Sequence, residues 1–233
     1  MQDEKNSIDD IDSYDFEVVP LLKEAFTRTN GLKWNFMGAI IIYAIIAVIT
    51  AAILEVFFPA DATEYNELIA SLLAVPVTLP IMVGITMLGI KQARDERLEI
   101  PSVLNYFSFL LPILLSYIAM SLMLFIGFML LILPGIYLAI SYSFTYALVV
   151  DKGLGVWEAM ELSRKTVTKQ WLKFFALALL GGLIIMISAI PLGIGLIWSI
   201  PTIYIAYGLL YHHLFDEEED YSQERKFIEG DVE

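Results

Sequence analysis

Leu133–Lys173 reads LPGIYLAISYSFTYALVVDKGLGVWEAMELSRKTVTKQWLK, and it holds one full cycle of the pattern that decides the fold. From Pro134 to Val150 no side chain is ionised, so the run suits hydrocarbon, whereas Asp151 and Lys152 call for water. Gly153 and Gly155 loosen the turn that follows. Val156, Ala159, Met160 and Val167 then recur at helical spacing, with Glu158, Glu161, Arg164, Lys165 and Lys169 on the other faces. That is the signature of an amphipathic, interfacial helix. Trp171, a ring suited to headgroup depth, introduces a second apolar run from Phe174 to Ile190.

The rest of the chain is built from the same parts. Of its 233 residues 58% are hydrophobic and 18% charged, and the mean hydropathy is +0.70; a soluble domain is nearer about half apolar and about a quarter charged. Charge is absent from Asn35–Leu54, Leu68–Ile90, Ile100–Val150 and Phe174–Phe215. A soluble helix keeps a wet face and would interrupt such tracts every few residues. The net charge of −13 resides in the two ends, −6 over Met1–Glu17 and −7 over Asp216–Glu233, while the acids and bases between them cancel. Residues 1–14 and 216–233 therefore read as solvated, disordered acidic tails around a single domain at 15–215, with a basic soluble protein partner as the alternative use of the tails. Phosphate binding needs clustered bases, so this sign of charge argues against nucleic acid. The absence of cysteine excludes disulfides, thiolate metal sites and a thiol nucleophile. No cleavable leader is apparent, and insertion is expected to use the first span itself.

Taken in order, Phe16–Asn30 reads as a short amphipathic helix with Val18, Leu22, Ala25 and Phe26 on one face. Spans follow at about 35–58 and 68–90, each long enough for a hydrocarbon core of about 30 Å. The tract Ile100–Val150 divides into 104–126 and 128–150 with a turn near Gly127, and Phe174–Phe215 into 172–190 and 194–214 around Pro191-Leu-Gly-Ile-Gly195. Basic residues cluster at Lys91, Arg94 and Arg97 and again from Lys152 to Lys173, whereas Pro59–Glu67 has none. The positive-inside rule then places both termini in the cytoplasm. The expected fold is all-α, a polytopic membrane protein with six transmembrane helices.

Three segments align: TLPIMVGITMLGIK around Pro80, ILPGIYLAISYSFTYALVVD around Pro134, and SIPTIYIAYGLLYHHLFD around Pro201. Each ends on a charged rim, and a surface-helix candidate precedes each odd span, at 16–30, 100–107 and 156–169. The chain therefore reads as three repeats of interfacial helix plus two spans, at 15–93, 95–150 and 151–215. A proline within a span deletes a backbone hydrogen bond, and in lipid the freed carbonyl needs protein around it, so the even spans should face inward. Loss of Pro134 is expected to disturb the fit of the fourth span. Gly84, Gly89, Gly135, Ala139, Gly181, Gly182, Ala206 and Gly208 are the candidates for close helix approach.

Pro134, Gly135, Tyr137, Tyr142, Asp151, Gly153, Ala159, Ser163, Arg164 and Lys165 together resemble the pattern of the YciC-like bacterial inner-membrane proteins. The related membrane domain attached to some glycerophosphodiester phosphodiesterases is similar too. The resemblance implies a six-span inner-membrane protein and, by analogy, a role connected with lipid. It carries no catalytic residues with it.

Candidate functional groups are few. No ionisable residue falls near a span centre, which disfavours proton-coupled transport and intramembrane proteolysis. An enzyme is not expected, nor a cofactor. His212 and His213 are adjacent and point about 100° apart on a helix, so no metal site is expected from them; Glu217 lies four beyond His213, where the helix is expected to end. On the fourth span Tyr137, Ser141 and Thr145 lie at i, i+4 and i+8 and form one hydroxyl stripe, able to tie helices together, line a polar path or meet a lipid headgroup, with Tyr204 and Tyr207 as partners. Arg164, Lys165 and Lys169 are the candidate contacts for anionic phospholipid. The expected function is a non-enzymatic inner-membrane protein with a structural or accessory envelope role and phospholipid contacts; the alternative is a transporter or channel for a small molecule or lipid. A reporter active only in the periplasm should stay silent when fused within 152–170, and activity there would invert the orientation.

Overall fold

The computed structural model describes residues 16–59, 63 and 65–216, and these are helical with no strand among them. A short helix α1 (Val18–Thr29) leads into the long pair α2 (Lys33–Phe57) and α3 (Asn66–Ala93). A 3-10 segment, Ile100–Phe109, leads into α4 (Leu110–Leu130), α5 (Ile132–Ser141) and α6 (Thr145–Asp151). Then α7 (Val156–Lys169) leads into α8 (Trp171–Ala189) and α9 (Leu196–Tyr211), which widens into a π turn over His212–Asp216. The order short, long, long thus occurs three times. Among the described residues five helical stretches are long and apolar enough to cross a membrane: α2, α3, the 3-10 segment with α4, the stretch Ile132–Asp151, and α8. The chain is an all-α polytopic membrane protein. The stretch at 194–214 is less regular than expected, because α9 alone has 16 residues and reaches 216 only through the π turn.

Each short element packs on the even helix of the unit before it. The 3-10 segment returns along α3, its Val103 backbone against Gly84. Helix α7 returns antiparallel along α5 and α6: Thr168 meets Tyr137, and Ser163 meets Ser141 and Phe144. Helix α1 has no preceding unit and packs on α9, where the Thr29 and Thr202 hydroxyls lie 3.1 Å apart. The three units therefore close into a ring. The buried stripe of α1 is Leu21, Ala25 and Thr29, and Phe26, expected inside, is 51% exposed. Thr29 can close an otherwise apolar stripe because its hydroxyl also bonds the Ala25 carbonyl at 2.9 Å.

Burial follows the even helices and one end of the bundle. In α3 the buried residues run from Pro80 to Ala93, in α6 they include Ala147 to Val150, and in α9 they run from Ser199 to Tyr211. Helix α2 buries only Phe36 and Ala39, and α8 only Phe174 and Gly181. The far tips carry bare apolar groups such as Val56, Phe57, Met129, Leu133, Ile190 and Leu192. Such surfaces suit lipid, where no hydrophobic drive gathers helices and packing depends on close contact. Gly89 and Gly208 provide it: a Cβ on Gly208 would fall on the backbone of Gly89, and one on Gly89 would fall on the Tyr204 carbonyl.

Two local expectations are corrected. The reversal between the third and fourth spans is at Leu131, which is extended at φ −166° and ψ 157°, whereas Gly127 lies inside α4 and faces Gly135 across the hairpin. Pro134 sits in the first turn of α5, where its missing N–H had no helical partner to lose. The presence of proline there therefore costs the helix no hydrogen bond, unlike at the buried, helix-interior positions of Pro80 and Pro201, where it removes one. Among the small residues, Gly182 has nothing within 4 Å of an added Cβ, and Ala139 is exposed.

Gly208→Ala should destabilise by about 1–3 kcal/mol through overpacking, read as a lower thermal midpoint in detergent. Gly182→Ala, where the space is open, should leave that midpoint unchanged or raise it.

Candidate functional site

The charged ends of the three even helices converge. Helix α3 ends in a Schellman-type cap, with Glu96 N–H donating to Lys91 O at 2.9 Å and Asp95 in the left-handed region at φ 55°. Arg94 is the last residue before that turn. Asp151 ends α6, and Asp216 ends the π turn beyond α9. The Arg94 guanidinium lies between the two carboxylates and bonds each through two nitrogens: Nη1 and Nη2 donate to Asp151 at 2.9 and 2.6 Å, Nε and Nη2 to Asp216 at 2.7 and 2.8 Å. Arg94, Asp151 and Asp216 thus close the even helices of the three successive short, long, long groups.

Further groups complete the cluster. Lys152 Nζ donates to Asp216 at 2.9 Å, Tyr211 OH donates to Asp151 at 2.8 Å, and His212 Nδ1 lies 2.9 Å from Asp216. The Arg94 guanidinium also stands 5.8 Å over the Tyr211 ring. Arg94 and Lys152 face Asp151 and Asp216, with Glu96 4.0 Å from Arg94 on the more exposed side, and the Asp151 and Asp216 side chains are only 14% exposed. Burial opposes ionisation of Asp216, but hydrogen bonds from Arg94, His212 and Lys152 outweigh it and hold the carboxyl well below the usual carboxylate range. Beneath the cluster lies an aromatic floor. Phe144, 1% exposed, has ring neighbours Tyr207 at 4.7 Å, Phe215 at 5.4 Å, Phe174 at 5.9 Å and Tyr211 at 6.1 Å.

Asp151 and Lys152 were expected to reach water, and Asp216 was assigned to the solvated tail. All three are bound into this cluster instead, because Arg94 supplies a fixed counter-charge that water would otherwise have to replace. The remaining tail residues, including Glu217 beside the His pair, lie outside the described residues. No group of three or more His, Asp or Glu suited to a metal ion occurs among the described residues.

The hydroxyl stripe is not one stripe. The fourth span breaks at 142–144, so Tyr137 and Ser141 belong to α5 and Thr145 starts α6. Ser163 of α7 repairs the break, its hydroxyl donating to Ser141 O at 2.7 Å and accepting from Phe144 N at 3.2 Å. Ser141 and Thr145 are fully buried and their side-chain oxygens have no hydrogen-bond partner. Tyr137 instead meets the Thr168 hydroxyl at 2.7 Å, and its carbonyl accepts from Trp171 Nε1 at 3.3 Å. Of the expected tyrosine partners, Tyr207 donates to Ser143 O at 2.9 Å and Tyr204 stacks on Phe36. Neither joins the stripe.

The basic residues occupy the outer face of α7. Arg164 bonds Glu161 twice, at 3.0 and 2.9 Å, and Lys165 lies 3.3 Å from the same carboxylate. The Arg164 hydrogen bond lowers the Glu161 carboxyl below its ordinary range. One acid thus faces two cations, and Lys169 is exposed further along the helix. Pro80, Gly135 and Pro201 stand within the helix packing, away from this face. No known protein family, curated protein or solved structure matches the chain.

Arg94→Met would leave two carboxylates facing each other and should cost about 3 kcal/mol, as for breaking an enclosed ion pair. Asp216 has a depressed folded-state pKa, so the stability it contributes is present above the unfolded value near about 4 and is lost as pH falls below it. The wild-type thermal midpoint in detergent should therefore drop on acidification below about pH 4, with a shallower drop in Asp216→Asn.

Proposed function

We propose that the chain is a non-enzymatic protein of the bacterial inner membrane, allied to the YciC-like group, with a structural or accessory envelope role exercised through phospholipid contact. On this reading it crosses the bilayer six times with both termini cytoplasmic. The ionic cluster and the outer face of α7 then lie at the cytoplasmic leaflet, and the apolar tips lie toward the opposite leaflet.

One observation carries the reading: the basic residues of the described chain gather at one end, either closed into the Arg94 cluster or displayed on amphipathic helices, while Glu55 and Glu67 mark the other end and the hydroxyls Ser141 and Thr145 are buried between. A carrier of polar solutes needs a wet route to mid-membrane. The hydroxyls that would line it, Ser141 and Thr145, are fully buried. A cleft of about 420 Å³ between α5, α8 and α9 is lined by groups such as Ile140, Phe174, Leu177 and Ala206. Such a lining suits acyl chains better than ions or sugars. The exposed basic residues of α7 suit an anionic headgroup region, where a basic residue contributes about 1 kcal/mol.

Purified protein incubated with labelled phosphatidylglycerol should retain it. Lys165→Gln with Lys169→Gln should lower retention by about tenfold or more if each charge contributes as estimated, and equal retention by the double variant would count against contact at this face.

A further inference from the structure

A second cleft, of about 530 Å³, lies beneath α1, between that helix and the α8–α9 hairpin. Leu22 and Phe26 form its roof, Leu180 and Ile184 one wall, and Trp198 and Ser199 the other. Two features separate it from an ordinary lipid-facing groove. Ser199 is 4% exposed and its hydroxyl has no hydrogen-bond partner, so a polar group is held unsatisfied in the wall, whereas the Thr202 hydroxyl of the same lining bonds the Trp198 carbonyl at 2.7 Å. Lys23, on the exposed side of α1, is the one ionisable side chain among the described lining residues, and Lys33 stands 4.8 Å over the Trp198 ring nearby. An apolar channel with a donor inside and cations at its edge has the polarity of one ligand class.

We propose that this cleft is a binding site for a single anionic phospholipid, with α1 as its cover. The acyl chain lies along Leu22, Phe26, Leu180 and Ile184; the headgroup phosphate meets Lys23; and Ser199 donates its hydroxyl to an ester oxygen of the glycerol region. The proposal rests on the phospholipid reading above but places the specific site under α1 rather than on α7. It also gives the amphipathic first helix a ligand of its own.

Trp198 lines the cleft, whereas Trp171 stands just beyond the C-terminal end of α7 with its indole on the Tyr137 carbonyl of α5, so the two report on different places. Two full-length proteins are made, each keeping one of these and carrying phenylalanine at the other three tryptophan positions. They are reconstituted in phosphatidylcholine vesicles containing a minor share of phosphatidylglycerol with brominated acyl chains, whose bromines quench indole fluorescence on contact. Quenching of Trp198 should correspond to a local share of the brominated lipid about fivefold above its bulk share. In Lys23→Glu and Lys23→Gln, at an exposed position and with unchanged circular dichroism, it should fall to the bulk share; brominated phosphatidylcholine should show no enrichment.

No enrichment at Trp198, or enrichment that persists in both Lys23 variants, overturns the proposal. Enrichment at Trp171 alone removes the cleft site and keeps the phospholipid role of the α7 face. Enrichment at Trp198 alone keeps the cleft and removes that face, and enrichment at neither removes both.

Discussion

A single guanidinium decides how the three units meet. Arg94 can bond two carboxylates at once because its nitrogens form a planar fork, and Asp151 and Asp216 each take one side of it. A lysine would offer one point of charge and could not set the directions of both neighbours. Because the three residues end α3, α6 and the α9 π turn, fixing their side chains fixes where three helices finish. The aromatic floor around Phe144 and the Gly89–Gly208 crossing then settle the approach of the helices below. In lipid this matters more than in water, since apolar surface gains little by leaving acyl chains for other helices. Polar anchoring at the rim and backbone contact just beneath it therefore do the gathering, and the apolar tips are left to face lipid.

The same logic explains the ring. Each even helix has a face that the neighbouring spans do not cover, and a short amphipathic element fills it. Along α6 the filler is α7, whose small residues Ala159 and Ser163 let it sit close enough for the Ser163 hydroxyl to serve the backbone at the break. Along α3 it is the 3-10 segment, and along α9 it is α1. An amphipathic helix described only as interfacial would miss this. Its apolar face is matched to protein, and its polar face is what remains for headgroups and water.

Much of the architecture was legible because it depends on where charge is missing. Long uncharged tracts, basic junctions and three proline-marked segments lead to paired spans with a short helix before each pair. The limits come from equally physical causes. A carboxylate at the end of an apolar run reads the same whether water or an arginine from another unit neutralises it, so Asp151 and Asp216 looked solvated. The convergence was latent in the alignment of the three segments, each of which ends in a charge, but opposite signs in different repeats become informative only once the ring is closed. The helix break at 142–144 left no proline or glycine as a signal, because Ser163, twenty residues away, carries the compensation. Pro134 misled in the other direction: a proline in a long apolar tract suggests a lost hydrogen bond, yet at a first turn there is none to lose.

Closure of the ring by α1 against α9 bears on biogenesis. Helix α1 has its protein partner in α9, so the Leu21 and Ala25 stripe stays without that cover until the ribosome has passed Tyr211. During that interval the bilayer surface is the natural resting place for such a stripe, which gives an amphipathic composition a use before assembly as well as after it. Docking of α1 would then mark the closing of the ring, and a chain truncated before α9 would keep α1 parked on lipid.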